Sequence, residues 1–293
     1  MKKKNKAIYL LFLMPFVYFA TACFVVWLVK TSGIYPSGSD TMYHVYRGDY
    51  VYNAIKSGNW YPLYDPAWYN GVEILRYWSP FPAYVMAFCQ YLAGGSQFGA
   101  YLFYIGGVCF LGACVWPFIG RGFNRPYLGA FIGLLWFFIP NNLCAIFIEG
   151  NLARSLSMIF LPVFIYSVYK YLYNHKLRYI PLMVFTFLLM ELCHLGYAGM
   201  VAIAVIIYGI VYIIQKGRKK AVLDVVISMI FGFMLLGIWL VASLRGGITS
   251  LDNSENMANF FQNLWITINP FERLTRGFEY FYFGFAALVV IVF

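Results

Sequence analysis

Long apolar runs separated by short polar turns set the pattern of the chain. The first covers 7–29, and others follow at 99–119, 126–148, 152–173, 179–195, 197–214 and 221–244. Each is close to the roughly 20 residues that a helix rising about 1.5 Å per residue needs to cross hydrocarbon. The pattern predicts seven membrane-spanning helices. An eighth run opens at 281 and stops at Phe293, too short to cross, so a longer parent chain is expected. The first run follows MKKKNK and contains ATAC at 20–23, which loosely resembles a lipoprotein cleavage box. Apolar residues continue past Cys23, and the segment reads as an uncleaved first helix.

One run departs from the pattern. SPFPAYVMAFCQYLAGG, 79–95, is short, contains two prolines and ends in Gly-Gly. Charge bias decides its role, because cytoplasmic loops collect Lys and Arg. If 79–95 does not cross and the N-terminus is cytoplasmic, 13 of the 21 basic residues lie inside, including those of QKGRKK, and ten of the 11 acidic residues lie outside. If it crosses, nine of those 13 positive charges move outward. The first arrangement is the expected one: 79–95 dips into the outer leaflet and belongs to a large outer loop, 30–98.

Composition agrees with this reading. The chain is 62% hydrophobic, 22% aromatic and 11% charged, against about 25% charged in soluble domains. An all-α polytopic protein of the cell membrane is predicted, a single transmembrane domain over 1–293. The net charge of +10 sits in short clusters between apolar runs, so a nucleic-acid surface is not indicated. None of the six cysteines forms a CxxC pair, and neither GxxxxGK nor GxGxxG occurs on the basic side. That argues against a disulfide framework and against nucleotide handling there.

The candidate chemistry is therefore outside. GSDTMYHVYRGDYVYNAIKSGNW, 38–60, places Asp40, His44 and Arg47 at i, i+4 and i+7, one face of an amphipathic helix lying on the bilayer. The simplest alternative is that Asp40 or Ser39 only caps that helix. IEGNLARS, 148–155, puts Glu149 and Arg154 where one span ends and the next begins; they could also merely pair across the turn. ELCHLGYAG, 191–199, places Glu191 and His194 at i, i+3 on the last turn of a span. The aromatic run 59–78 suits the interface, and less specifically sugar faces. Together these fit glycosyl transfer, which needs a carboxylate base for the acceptor and cationic or metal stabilisation of the departing phosphate. Asp40 and Glu149 answer the first need. Arg47, Arg154 and His194 answer the second.

GSDTMYHVYR, GNWYP at 58–62, SPFP and IPNN…EGNLARSLSMIFLP resemble segments of bacterial membrane proteins labelled as related to pyruvoyl-tetrahydropterin synthase, over residues 7–200. That group is similar to C-type glycosyltransferases, which use polyprenyl-phosphate-linked sugars. The resemblance implies a helix bundle whose large first extracytoplasmic loop carries amphipathic juxtamembrane helices. It also implies catalytic carboxylates at Asp40 and Glu149, which would share a divalent cation, Mg or Mn. His44, Arg47, Arg154, Glu191 and His194 would bind substrate. Where oligosaccharyltransferases carry Asp-x-Asp in the second loop, this chain has Glu149, Gly150 and Asn151, which weakens the case for a tightly held metal. The expected partners are a polyprenyl-phosphate-linked sugar donor and membrane lipids, without nucleic acid. The expected activity is hexosyl or pentosyl transfer to an envelope glycan, lipid or protein. A flippase of lipid-linked glycans and a non-catalytic scaffold of envelope synthesis are the alternatives.

Overall fold

The computed structural model describes residues 2–36, 38–68, 71–76 and 78–245, with side chains from Phe12 onward. Among the described residues the regular structure is helical, apart from one isolated antiparallel bridge between Asp65 and Val72. The expected eighth run and most of the outer segment 245–280 lie outside the described residues.

The helices are α1 (Lys2–Ser32), α2 (Thr41–Lys56), α3 (Phe81–Leu92), α4 (Gln97–Gly122), α5 (Pro126–Leu135), α6 (Pro140–Leu143), α7 (Leu152–Asn174), α8 (Tyr179–Cys193), α9 (Leu195–Lys216), α10 (Lys219–Leu235) and α11 (Gly237–Arg245). Four segments are continuous, apolar and long enough to cross a bilayer: Phe12–Ser32 of α1, α4, α7 and α9. α3 has 12 residues, about 18 Å, too few to cross.

Three of the seven expected spans differ from simple helices. Over 126–148, α5 passes through a 3₁₀ turn, Trp136–Phe138, and α6 gives way to a π turn, Cys144–Ile148, with a 40° bend between the halves. Pro140 is the cause. Its ring excludes helical backbone at Ile139, which sits at φ −63°, ψ 121°. The expected span 221–244 breaks at Leu236, and α10 and α11 meet at 62°. Hydrogen bonds to the first loop hold α11 off the α10 axis: Trp239 Nε1 donates to the Leu75 carbonyl at 2.8 Å, the Ser243 hydroxyl to that of Arg76, and Arg76 Nε to that of Ala242 at 2.9 Å. α8 has only 15 residues and ends at Cys193.

Three cores hold these parts. One joins α1, α3, α4, α5 and α7 around Tyr18, Tyr101, Tyr104 and Ile105. Where α4 meets α5, a Cβ on Gly120 would fall 2.6 Å from Gly129 Cα, the close approach small residues permit in membranes. A second core joins α7, α8, α9 and α10 around Phe164, Met183 and Met190. The third is small and belongs to the first loop: Val51, Ile74, Leu75, Ala83 and Ala87.

Up-and-down connection puts the turns 122–126, 174–179 and 216–219 at one end. There Lys170 Nζ donates to the Gly122 carbonyl at 2.6 Å and lies over Phe123, and Arg218 meets His175. The turns 32–40, 148–152 and 193–195 meet at the other end, with α2 and α3.

Candidate functional site

Two of these connections, 32–40 and 148–152, are joined by glycines. Gly38 and Gly150 approach so closely that a Cβ on Gly38 would lie 2.5 Å from Gly150 Cα. Gly150 takes φ +67°, which an L side chain adopts only at a cost. The contact lets the Glu149 carbonyl accept twice, from the Asp40 backbone N–H at 3.1 Å and from the Ser39 hydroxyl at 3.0 Å. Asp40 and Glu149, 109 positions apart in sequence, are thus brought together at one end of the bundle.

Asp40 occupies the N-cap position of α2 but makes no capping hydrogen bond with its side chain. The capping role is not realised. Its exposed carboxylate accepts from the Ser39 hydroxyl at 3.2 Å. Glu149 is more engaged. Oε2 pairs with Arg154 at 2.6 Å, and Oε1 accepts from the Cys144 thiol at 3.5 Å. The π turn ending at Ile148 delivers Glu149 to this position.

Two helix starts border the pair. Asn151 caps α7, its Oδ1 accepting from the Arg154 backbone N–H at 3.0 Å. His194 caps α9, its Nδ1 accepting from the Tyr197 N–H at 3.0 Å. The two caps face each other, with Asn151 Nδ2 3.4 Å from His194 Nε2. Burial, then Arg154, holds the His194 pKa below its ordinary value, while Asp40 and Glu149 pull the other way. His44 is 8% exposed, and burial, then Arg47 and His194, lower its pKa to about 3. Both rings are neutral at physiological pH.

Arg47 and Glu191 do not join this group as expected. Arg47 is 1% exposed and points inward, its Nη2 donating to the carbonyls of Trp78 at 3.2 Å and Ser79 at 3.5 Å beneath the Tyr43 ring. One face of α2 is covered by the protein itself. It packs on α3, with Gly48 against Met86, and the buried face carries His44, Val45, Arg47 and Val51. Glu191 is 1% exposed on α8, its carbonyl accepting from the Ser79 hydroxyl at 2.9 Å and its Oε2 without a hydrogen-bond partner. It is not paired with His194 on one helical face, because the helix ends at Cys193 and His194 is extended, at φ −154°.

The donor set for a cation is thin. Asp40 and Glu149 supply two carboxylates, one already paired with Arg154, and among the described residues no three of His, Cys, Asp and Glu gather. Among the described residues, these donors by themselves do not make a tight Mg or Mn site. Asn151 and Ser39 were not expected at the site. An Asn directly after a Gly and before an apolar run is an N-cap signal by which Asn151 could have been found; Ser39 was read only as a possible cap of the helix after it.

These features define a polytopic helical membrane protein with a polar site where its helices meet the first loop. A family model described as the 6-pyruvoyl-tetrahydropterin synthase related domain, membrane protein, matches residues 75–293, and the chain belongs to that family. The match includes SPFP and IPNN…EGNLARS and extends to Phe293, past the expected limit at 200, whereas GSDTMYHVYR and GNWYP precede it. No curated protein and no solved structure matches the chain.

Proposed function

We propose that the chain is a membrane glycosyltransferase that moves a sugar from a polyprenyl-phosphate carrier to an envelope glycan, lipid or protein on the outer face. The observation that supports this most is the Glu149 carbonyl holding Asp40 beside Glu149, two outer carboxylates from separate loops at one place. Asp40 is the base, since its carboxylate is exposed and free of ion pairing among the described residues. It takes the acceptor hydroxyl proton as the acceptor oxygen bonds to the sugar C1. The bond from C1 to the phosphate oxygen breaks, its electron pair leaving with the polyprenyl phosphate. Glu149 orients Arg154 toward that phosphate. Arg47 acts at one remove, positioning the segment that contains Trp78 and Ser79.

The test is transfer from a defined lipid-linked sugar by the full-length protein and its Asp40→Ala variant. Loss of the base lowers the rate about 10²–10⁴-fold. Equal rates in the two proteins remove Asp40 from the chemistry. Carriage of a lipid-linked glycan across the bilayer is the second reading, favoured by the buried carboxylate of Glu191 within α8. Movement of labelled carrier between liposome leaflets without transfer would select it.

A further inference from the structure

The contacts of His194 cannot all be hydrogen bonds at once. Nδ1 lies 3.0 Å from the Tyr197 backbone N–H, and Nε2 lies 3.4 Å from Asn151 Nδ2. A neutral imidazole has a single acceptor nitrogen. The backbone N–H, fixed by α9 and closer, takes it, so the ring proton is on Nε2. Asn151 is fixed by the same logic. Only its amide oxygen can accept the Arg154 N–H, so Nδ2 is the atom turned toward His194. Two donors therefore face each other across 3.4 Å with no acceptor between them.

We propose that Asn151 Nδ2–H and His194 Nε2–H converge on an anionic oxygen of a phosphate group, forming an oxyanion site at the joined starts of α7 and α9. Helices of 23 and 22 residues begin at these caps. Each N-terminus carries free N–H groups and about half a positive charge. The Arg154 side chain borders the same place, held by Glu149 at 2.6 Å. A buried imidazole, packed against the Tyr43 ring, lies alongside. His44, 8% exposed, has no ring hydrogen bond among the described residues and is close enough to His194 for the two to interact electrostatically. Arg154 offsets Glu149 in formal charge, and the two helix starts, about half a positive charge each, offset the carboxylate of Asp40.

The site stands as a phosphate-binding claim by itself and rests on the preceding reading only in taking a polyprenyl phosphate as its ligand. The full chain in an uncharged maltoside detergent is titrated with polyprenyl phosphate, uncharged polyprenol, phosphatidylglycerol and inorganic phosphate. Asn151→Asp keeps the capping oxygen and puts a carboxylate oxygen where the donor was. His194→Asn keeps an acceptor near Nδ1 and removes Nε2–H. Asn151→Asp is expected to weaken polyprenyl phosphate at least ~10-fold, as loss of a charge-assisted hydrogen bond and gain of a repulsion should. His194→Asn gives a smaller loss, and polyprenol binding and thermal midpoints stay near the parent's. Should Asn151→Asp fail to fold, His194→Asn decides alone. Parent-like phosphate binding in the variants overturns the proposal, as does equal parent affinity for polyprenyl phosphate and polyprenol. A selective loss seen with phosphatidylglycerol or inorganic phosphate in place of the polyprenyl lipid supports the oxyanion site and counts against glycosyl transfer. Phosphate binding without sugar transfer supports the site in the same way and removes the enzymatic reading.

Discussion

Gly150→Ala should open the contact that brings Asp40 to Glu149 while leaving the bundle folded. A Cβ at Gly150 would fall 2.2 Å from Thr41 Oγ1 and 2.6 Å from the Thr41 nitrogen, at a φ of +67°. The left-handed backbone costs a non-glycine residue roughly 1–2 kcal/mol, and forcing a methyl into packed atoms typically about 1–3 kcal/mol. Opposing this are the two hydrogen bonds to the Glu149 carbonyl, together about 1–3 kcal/mol. The strain is equal or larger, so local opening relieves it more cheaply than distortion of the cores, none of which the methyl touches. The Asp40 amide, protected by its bond to the Glu149 carbonyl, reports the opening directly through hydrogen exchange. Net destabilisation of ~2 kcal/mol raises its exchange about 30-fold. Gly199→Ala is the control, because a methyl there meets nothing within 4 Å. Unchanged Asp40 exchange in Gly150→Ala, with the control behaving as stated, would falsify the contact.

The neutral histidines make stability fall on acidification. His44 drops from 6.5 to about 3 on folding, so below 6.5 the unfolded chain binds more protons; the stabilisation is complete above 6.5 and is lost as pH falls toward 3. Between pH 6.5 and 5 this amounts to ~2 kcal/mol. His194 acts in the same direction, with Arg154 reinforcing burial and Asp40 and Glu149 opposing it, while Arg47 and His194 face His44. Over that range the thermal midpoint of the parent should fall relative to that of His44→Asn; parallel profiles in the two proteins refute the assignment. For topology, single-cysteine labelling from outside cells should succeed at Asn59 and fail at Gly217. Strong outside labelling at 217 would reverse the orientation.

What the sequence disclosed follows from which interactions are local. Apolar length alone marked α4, α7 and α9, because a helix in lipid satisfies its own backbone whatever its neighbours do. The break at Pro140 was legible in principle, since proline acts on the residue before it. The bend at Leu236 was not, because its partners are carbonyls of Leu75 and Arg76 more than 160 positions away. Charged faces misled for a similar reason. The spacing of Asp40, His44 and Arg47 is correct for a helix, but spacing cannot say what covers that helix. Packing Gly48 on Met86 turns Arg47 inward and leaves Asp40 outside. Likewise i, i+3 pairing of Glu191 with His194 assumes one helix, and the chain becomes extended at His194.

The buried arginine then has a role that its charge alone would not suggest. A guanidinium held among carbonyls is costly to desolvate, and such groups are weak evidence for net stability. Arg47 nonetheless ties α2 to the carbonyls of Trp78 and Ser79, and the Ser79 hydroxyl continues the connection to the Glu191 carbonyl on α8. α2 is therefore fixed at two points. The Glu149 carbonyl holds its start against the α7 turn, and Arg47 holds its middle toward the end of α8, three residues before His194. Those two attachments determine the separation of Asp40, His44 and His194, which come from helices that share little other contact. Residues with no reacting atom, Gly38, Gly150 and Arg47, thus set the geometry on which the polar site depends. Rigid support of this kind is what a site needs when its donors must meet one oxygen within a few tenths of an ångström.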